Sequence, residues 1–457
     1  MNMRFASITL TAGLLCACSQ VPVYERPQAP IGAEFESAAG LPDAVAPQWW
    51  RSFGSPQLDA LIEQATASNF DLRAAVARID QARASLRIGS ADLLPNASAS
   101  GSISSNRQEQ NGRWDSGESD QASLSVGYEL DLWGGNRAAR EAALARLDAS
   151  RWNRAAVVLV LQSDVATSYF QILALSEQLD IARQNLEAAQ ELLDLVQVRY
   201  DAGAATALEL AQQKTTLLSI AATIPSLQQS LASARNAMKV LLGGEPGSEL
   251  AAAPIAALTV PDPSPGVPSA LLEQRPEIRI AEASLIAANA DIGAARAALL
   301  PRVELSLSAG VSGALTGGSS QFVSLAGSLA QTLFNGGALR AQVQLSEAAQ
   351  QELTASYLQT VLESVKEVED SLVAQRTASD RAVILEQAAE QAREVYRLAL
   401  IRFEAGSEDL LTLLDAQRTR LSAEDSLVQA RYNRLLAAAQ LFKAVGGGWA
   451  EAALDET

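Results

Sequence analysis

Covalent catalysis needs a nucleophile, a base or a metal ligand, and this chain of 457 residues is short of all three. It has no His and only two Cys, Cys16 and Cys18. Without imidazole, most nucleophile–base pairs and most transition-metal sites are excluded. Carboxylates are plentiful, but pairs such as Glu367 and Asp370 stand three apart on a helical pattern and read as a solvated face. No Gly-rich loop ending in Lys is present to cradle a phosphate. A formal charge of −17 argues against nucleic acid as a partner. These residue types point away from an enzyme and carry no implied metal or organic cofactor, so the chain must be read for what its elements build.

The one side chain with a clear chemical fate is a thiol. Arg4 opens a short apolar run, Phe5 to Leu15, which is too short to span a bilayer and reads as a signal peptide over residues 1–17. Leu15-Cys16-Ala17-Cys18 is similar to a bacterial lipobox, with Cys18 as the lipidation site carrying diacylglycerol and palmitoyl chains. Ser19 rather than Asp follows, which implies delivery to the outer membrane. Residues 18–48 are rich in Pro and Ala and read as a lipidated tether, pinned by Trp49 and Trp50. Beyond the signal the longest apolar run, 155–161, has seven residues, so no membrane-spanning helix is expected. A chain that crosses a membrane without one must cross as strands.

The elements are long. Ile172, Leu175, Leu179, Ala182, Leu186, Ala189, Leu193, Val196 and Tyr200 alternate spacings of three and four, an unbroken heptad seam. No Gly or Pro lies between Asn136 and Gly203. The pattern predicts a helix over 136–200, about 100 Å long at ~1.5 Å per residue. Gly203 marks a left-handed stop, and a second helix follows over 204–242, with a kink or break expected at Pro225. The chain then repeats itself. Leu93-Leu94-Pro95 returns as Leu299-Leu300-Pro301, and Arg199-Tyr200-Asp201-Ala202-Gly203 as Arg402-Phe403-Glu404-Ala405-Gly406. Residues 49–242 form the first repeat and 269–445 the second, with helices over 338–404 and 407–445. A Pro-rich linker, 243–268, joins them, and 446–457 is a tail.

After each Leu-Pro the period changes to two. Ala122, Leu124, Val126, Tyr128, Leu130 and Leu132 alternate with small or polar residues, as do Val303, Leu305, Leu307, Ala309 and Val311. Four strands are predicted, 96–106, 119–132, 302–313 and 320–333, with loops over 107–118 and 314–319. The alternation fits a membrane barrel with a wet lumen, and equally an amphipathic sheet on a soluble core. Four strands cannot close in lipid, so the first reading requires two, three or four copies. Trp133 and Phe334 stand where strand becomes helix, either as an interfacial belt or as plain core aromatics. The fold class is α+β: long antiparallel helical hairpins with four strands, in an internal two-fold repeat.

The stretches Phe53-Gly54-Ser55-Pro56-Gln57-Leu58, Arg275-Pro276-Glu277-Ile278 and Ile292-Gly293-Ala294-Ala295-Arg296-Ala297 resemble the NodT-type outer-membrane efflux lipoproteins of the TolC-like family. The resemblance covers nearly all of the mature chain. It implies a homotrimer with a 12-stranded transmembrane β-barrel and a periplasmic α-barrel. It implies a periplasmic adaptor protein and an inner-membrane transporter of the resistance–nodulation–division type as partners. It implies the role of exit duct for drugs and other small molecules. It also places adaptor docking at the turns of Gly203 and Gly406. By the same resemblance Leu411 and Asp415 narrow the tunnel as a periplasmic gate, and Glu209 stands where some relatives carry a latching carboxylate. The Tyr and Arg that hold such a carboxylate are here Phe403 and Glu408, so that latch is incomplete. Two rival readings stand beside the exit duct: an outer-membrane channel for type I protein secretion, and a periplasmic coiled-coil lipoprotein acting as a spacer.

Overall fold

A computed structural model describes residues 19–36, 47–110, 112–247, 253–261, 268–313, 315 and 318–447. Cys18 and its lipobox lie outside the described residues. The elements are α1 (Pro56–Ser68), α2 (Phe70–Ala91), β1 (Asn96–Gln110), β2 (Arg113–Leu130), α3 (Gly135–Asp201), α4 (Ala207–Leu241), the short α5 (Leu271–Gln274), α6 (Pro276–Ala297), β3 (Arg302–Ser312), β4 (Ser320–Ala330), α7 (Ala338–Glu404) and α8 (Leu410–Ala444). Lengths recur: α3 and α7 have 67 residues each, and α4 and α8 have 35 each. The chain divides into two units, one of Met1–Gln28, Ala77–Trp152 and Arg279–Thr360, the other of Ala29–Val76, Asn153–Ile278 and Val361–Thr457.

The first unit holds an antiparallel sheet in the order β1-β2-β3-β4. Its register sorts the residues by face. Ser98, Ser100 and Ser104 pair across the strands with Ser125, Ser123 and Ser119 through their hydroxyls, at 2.9, 3.0 and 2.8 Å. The alternate positions carry Ile103, Leu124, Val323, Leu325 and Leu329, all exposed. Several strand boundaries differ from those expected, among them the end of β4, at Ala330 rather than 333. β1 runs to Gln110 and β2 starts at Arg113, so most of the loop expected over 107–118 is paired strand. Beyond the Ile103–Asp120 pair the facing residues are small or polar, as in Ser105 opposite Glu118 and Arg107 opposite Ser116, except for Trp114, over whose ring the Arg107 guanidinium lies. Alternation therefore vanishes while the backbone ladder continues. At its other end β2 stops at Leu130 rather than 132, because Asp131 turns away to accept the Asn136 and Arg137 N–H groups at 3.1 and 3.0 Å.

The segment after Ser19 is extended, as a tether should be, but it is not free. Val21 packs on Gly293 of α6, where an added Cβ would lie 2.4 Å from its Cγ2. Pro22 accepts from Asn289 Nδ2 at 2.7 Å, and the Arg26 guanidinium grips Glu282 at 2.6 and 3.0 Å. Tyr24, half-buried beside Glu282, has its phenol pushed up to about 12, by desolvation first and by that carboxylate second. The tether expected over 18–48 is therefore, over residues 19–28, a strap docked on α6.

The second unit is helical. Ser55 caps α1, accepting the Leu58 N–H at 3.2 Å with Pro56 in the first turn, and its hydroxyl meets Tyr169 at 3.0 Å. Trp49, Phe53, Phe170 and Phe442 then form one aromatic cluster, with Trp49 and Phe442 stacked at 5.2 Å. Each fully buried side chain of this size contributes roughly 1.5–3 kcal/mol. Pro225 sits inside α4 without ending it, so of the expected kink or break there is no break. One helix differs from the sequence expectation in another way. α3 contains an 18-residue window apolar enough, at a mean hydropathy of 1.4, to match a membrane span, but 50 % of it is buried within the chain's own packing.

Candidate functional site: the two hairpin turns and their groove

The turns of the α3–α4 and α7–α8 hairpins are built alike. Gly203 and Gly406 take φ of 74° and 72°, a region that costs other residues strain. Gly203 N–H donates to the Tyr200 carbonyl at 2.9 Å and Ala204 N–H to Arg199 at 2.7 Å. Gly406 and Ser407 repeat this on Phe403 and Arg402 at 3.0 and 2.9 Å. This double bond pattern satisfies the last carbonyls of each helix. The helices that follow are capped by side chains. Thr206 and Glu209 exchange bonds in a capping box, with Glu209 Oε2 accepting the Thr206 N–H at 2.6 Å and its hydroxyl at 2.8 Å. Asp409 accepts the Thr412 N–H at 2.8 Å. These backbone bonds, with the hydroxyl as a second cause at Glu209, hold both carboxyls below their ordinary range.

Leu411 and Asp415 share a groove of about 410 Å³ with Thr215, Ser219, Ile220 and Arg418. Leu411 is exposed, and Asp415 is in an ion pair with Arg418 at 2.7 Å. The Asp415 carboxylate, expected at the gate, is thus paired with a cation on its own helix rather than bare. Glu209 is not on this groove; its carboxylate is spent on the cap of α4. Arg402 reaches Glu408 at 3.6 Å.

The residue that sequence reasoning passed over is Arg199. Its Nη2 donates to the carbonyls of Phe403 and Glu404 at 2.9 and 3.3 Å, and its guanidinium lies 4.4 Å over the Phe403 ring. One cation thus ties the end of α3 to the end of α7, where the helix dipole favours positive charge. The signal was present in the sequence, since an Arg opens both copies of the turn motif. Of the two aromatics at strand–helix junctions, Trp133 donates to the Pro301 carbonyl at 2.7 Å, whereas Phe334 is exposed.

A narrow polar–apolar groove and two matched turns can admit, exclude or dock. Known proteins point the same way. The family model described as outer membrane efflux protein matches residues 61–244 and 267–447. The pyoverdine export outer membrane protein OpmQ of Pseudomonas aeruginosa is 40% identical over 470 residues, covering 98% of either chain. The probable efflux pump outer membrane protein TtgC of Pseudomonas putida is 33% identical, covering 99% of this chain and 97% of its own. Among solved structures, the outer-membrane channel OprN matches with a TM-score of 0.87 at 31% identity, over 94% of this chain and 100% of that one. By sequence and by fold the chain belongs to the outer membrane efflux protein family.

Proposed function

We propose that the chain is the exit duct of a tripartite efflux pump, a lipid-anchored trimer that passes small molecules across the periplasm and outer membrane. The observation that carries this is the sheet. One face presents Ile103, Leu124, Val323, Leu325 and Leu329 to the outside, the other a ladder of serines, and β1 and β4 are its edges. In lipid such edges must be paired, and three copies closing β4 onto the next β1 give twelve strands around a polar bore. The paired helical hairpins, equal in length in both halves, then line a periplasmic tunnel, as an internal duplication would require. Cys18 holds the N-terminus to the membrane through its acyl chains. The turns at Gly203 and Gly406 are the docking points for a periplasmic adaptor, and a resistance–nodulation–division transporter of the inner membrane supplies the energy. Leu411 and the Asp415–Arg418 pair form the aperture, with apolar collar and ion pairs at one level. OpmQ is named for pyoverdine export and TtgC for efflux; small solutes of that class are the cargo proposed here.

Purified protein should run as three chains by light scattering and conduct ions in planar bilayers. Loss of the gene should raise accumulation of small apolar antibiotics and leave the secreted proteins unchanged. A non-conducting particle would favour the spacer reading, and an altered secretome the protein-secretion reading.

A further inference from the structure

Away from the turns, the aperture groove runs on into a second, larger space. Its volume is about 700 Å³, and α3, α4 and α8 form its walls. Ile220, Arg418 and Leu421 line both spaces, so the second continues the first. The opening has a local cause. Ala182, Ala222, Ser226 and Ser422 border it, and none of these side chains is long enough to fill it. The larger neighbours are apolar: Ile181, Ile220, Leu227 and Leu421. Ile181 and Leu227 pack on the aromatic core cluster, which fixes that wall from behind. A space of this size, apolar with a few polar groups, suits a drug-sized molecule.

The charges around it are unequal. Arg418 is answered by Asp415 at 2.7 Å. Arg420 does not line the space; it donates to Asn185 and lies 4.1 Å over the Tyr396 ring. Asp425 does line it, two helical turns from Arg418 and so about 10 Å along α8. This carboxylate is exposed and makes no ion pair among the described residues. Its partner is the neutral amide of Gln178, which donates at 2.5 Å. The uncompensated charge on the lining is therefore negative. The chain's formal charge of −17 adds a field of the same sign.

We propose that this space is a transit site for small amphipathic cations, which lay an apolar body on Ile181, Ile220 and Leu421 and set a cationic head at Asp425. This rests on the exit-duct reading above and deepens it, by naming a class of solute for which the wall beyond the aperture has affinity. Apolar burial supplies most of that affinity. A partly exposed ion pair supplies a smaller, selective share. A neutral solute of similar shape binds without regard to Asp425, and an anion meets like charge there.

The test is dye binding to the full-length lipidated protein in nanodiscs, with the signal of empty nanodiscs subtracted. Two probes are titrated: rhodamine 6G, a fluorescent amphipathic cation, and N-phenyl-1-naphthylamine, a neutral dye. Both should bind saturably. Asp425→Asn should weaken rhodamine 6G about fivefold and leave the neutral dye unchanged. Ala222→Phe, which fills the space from an exposed position on α4, should abolish saturable binding of both. Unchanged rhodamine 6G affinity in Asp425→Asn would overturn the proposal, and so would binding of either dye that survives Ala222→Phe. Planar-bilayer recording of the same protein separates the failures. A protein that conducts ions but binds neither dye would overturn the transit site and leave the duct standing. One that binds both dyes as described and conducts nothing would overturn the duct, and with it the site's place on a route.

Discussion

Arg199→Ala should loosen the two hairpin turns from each other without unfolding the helices behind them. The guanidinium makes two bonds to helix-end carbonyls, at 2.9 and 3.3 Å, and one face contact with Phe403 at 4.4 Å. A buried bond to a charged group is worth roughly 1.5–3 kcal/mol; Arg199 is only half-buried, so about 1 kcal/mol is the better figure for the pair. The ring contact adds about 0.5–1 kcal/mol at such a site. The dipole share is already inside the carbonyl bonds and is not counted again. The total, about 1.5–2 kcal/mol, is roughly a ten- to thirtyfold change in local opening. Hydrogen–deuterium exchange reads it directly. The amides of Gly406 and Ser407 should exchange faster by about that factor, while amides around Phe170 stay unchanged. Arg199→Lys keeps the charge but loses the planar fork, and should recover only a minor part. Unchanged exchange at Gly406 and Ser407 would refute the reasoning, and so would a uniform rise along the whole chain.

Other expectations follow from single contacts. Gly293→Val places a branched side chain where Val21 already sits, so the strap should lift and a protease should cut at Arg26 faster than in the native protein. Acid should loosen the turns. The carboxyls of Glu209 and Asp409 are depressed on folding, so their stabilisation is complete above the ordinary carboxylate range and is lost as pH falls through their folded values. Amide protection at the starts of α4 and α8 should therefore be flat near neutrality and fall below about pH 4, and Glu209→Gln, which takes the titrating carboxyl away, should remove the α4 part of that fall. Leu411→Ala with Asp415→Ala should raise bilayer conductance, whereas Arg418→Ala alone, which bares Asp415, should shift selectivity toward cations; unchanged currents in both would remove the aperture from this groove.

The rods were readable because their cause is local and periodic. A heptad seam without Gly or Pro has one outcome, and α3 ends at Asp201, close to where Gly203 stops it. The strands were readable only where burial on one side imposes alternation. Past Asp120 a single Trp114 does not make an apolar face to alternate, and the hairpin continues on backbone pairing, the Ser104–Ser119 hydroxyl bond and the Arg107 contact with Trp114, a composition that reads as loop. The strap was hidden for a different reason. Its contacts join residues some 260 positions apart, such as Arg26 with Glu282 and Pro22 with Asn289, and nothing in Pro- and Ala-rich composition signals them. At the turns the glycines were legible, and Leu411 and Asp415 do share a groove, but the partner of each charge was not. Asp415 is met by Arg418 one turn on, and Glu209 is drawn into the cap of its own helix.

That last point bears on how such an aperture could work. A bare carboxylate ring would repel itself, and its cost would fall as the ring widened, so it would favour the open form. An exposed Asp–Arg pair at i, i+3 contributes about 0–1 kcal/mol and is carried along whichever way the helix moves. It biases neither form strongly. The groove is shared by α4 and α8, whose start sites are held by separate caps, Thr206–Glu209 and Asp409–Thr412. Each helix can therefore shift as a rod without unwinding its first turn. What resists that shift is the tie made by Arg199 between α3 and α7. On this view the groove residues set what passes, while Arg199, which does not line the groove, sets how often it opens. Arg199→Ala should then raise open probability at unchanged single-channel conductance, and Leu411→Ala should do the reverse. Single-channel recording separates the two quantities, and a conductance change in Arg199→Ala would place that arginine in the pore instead.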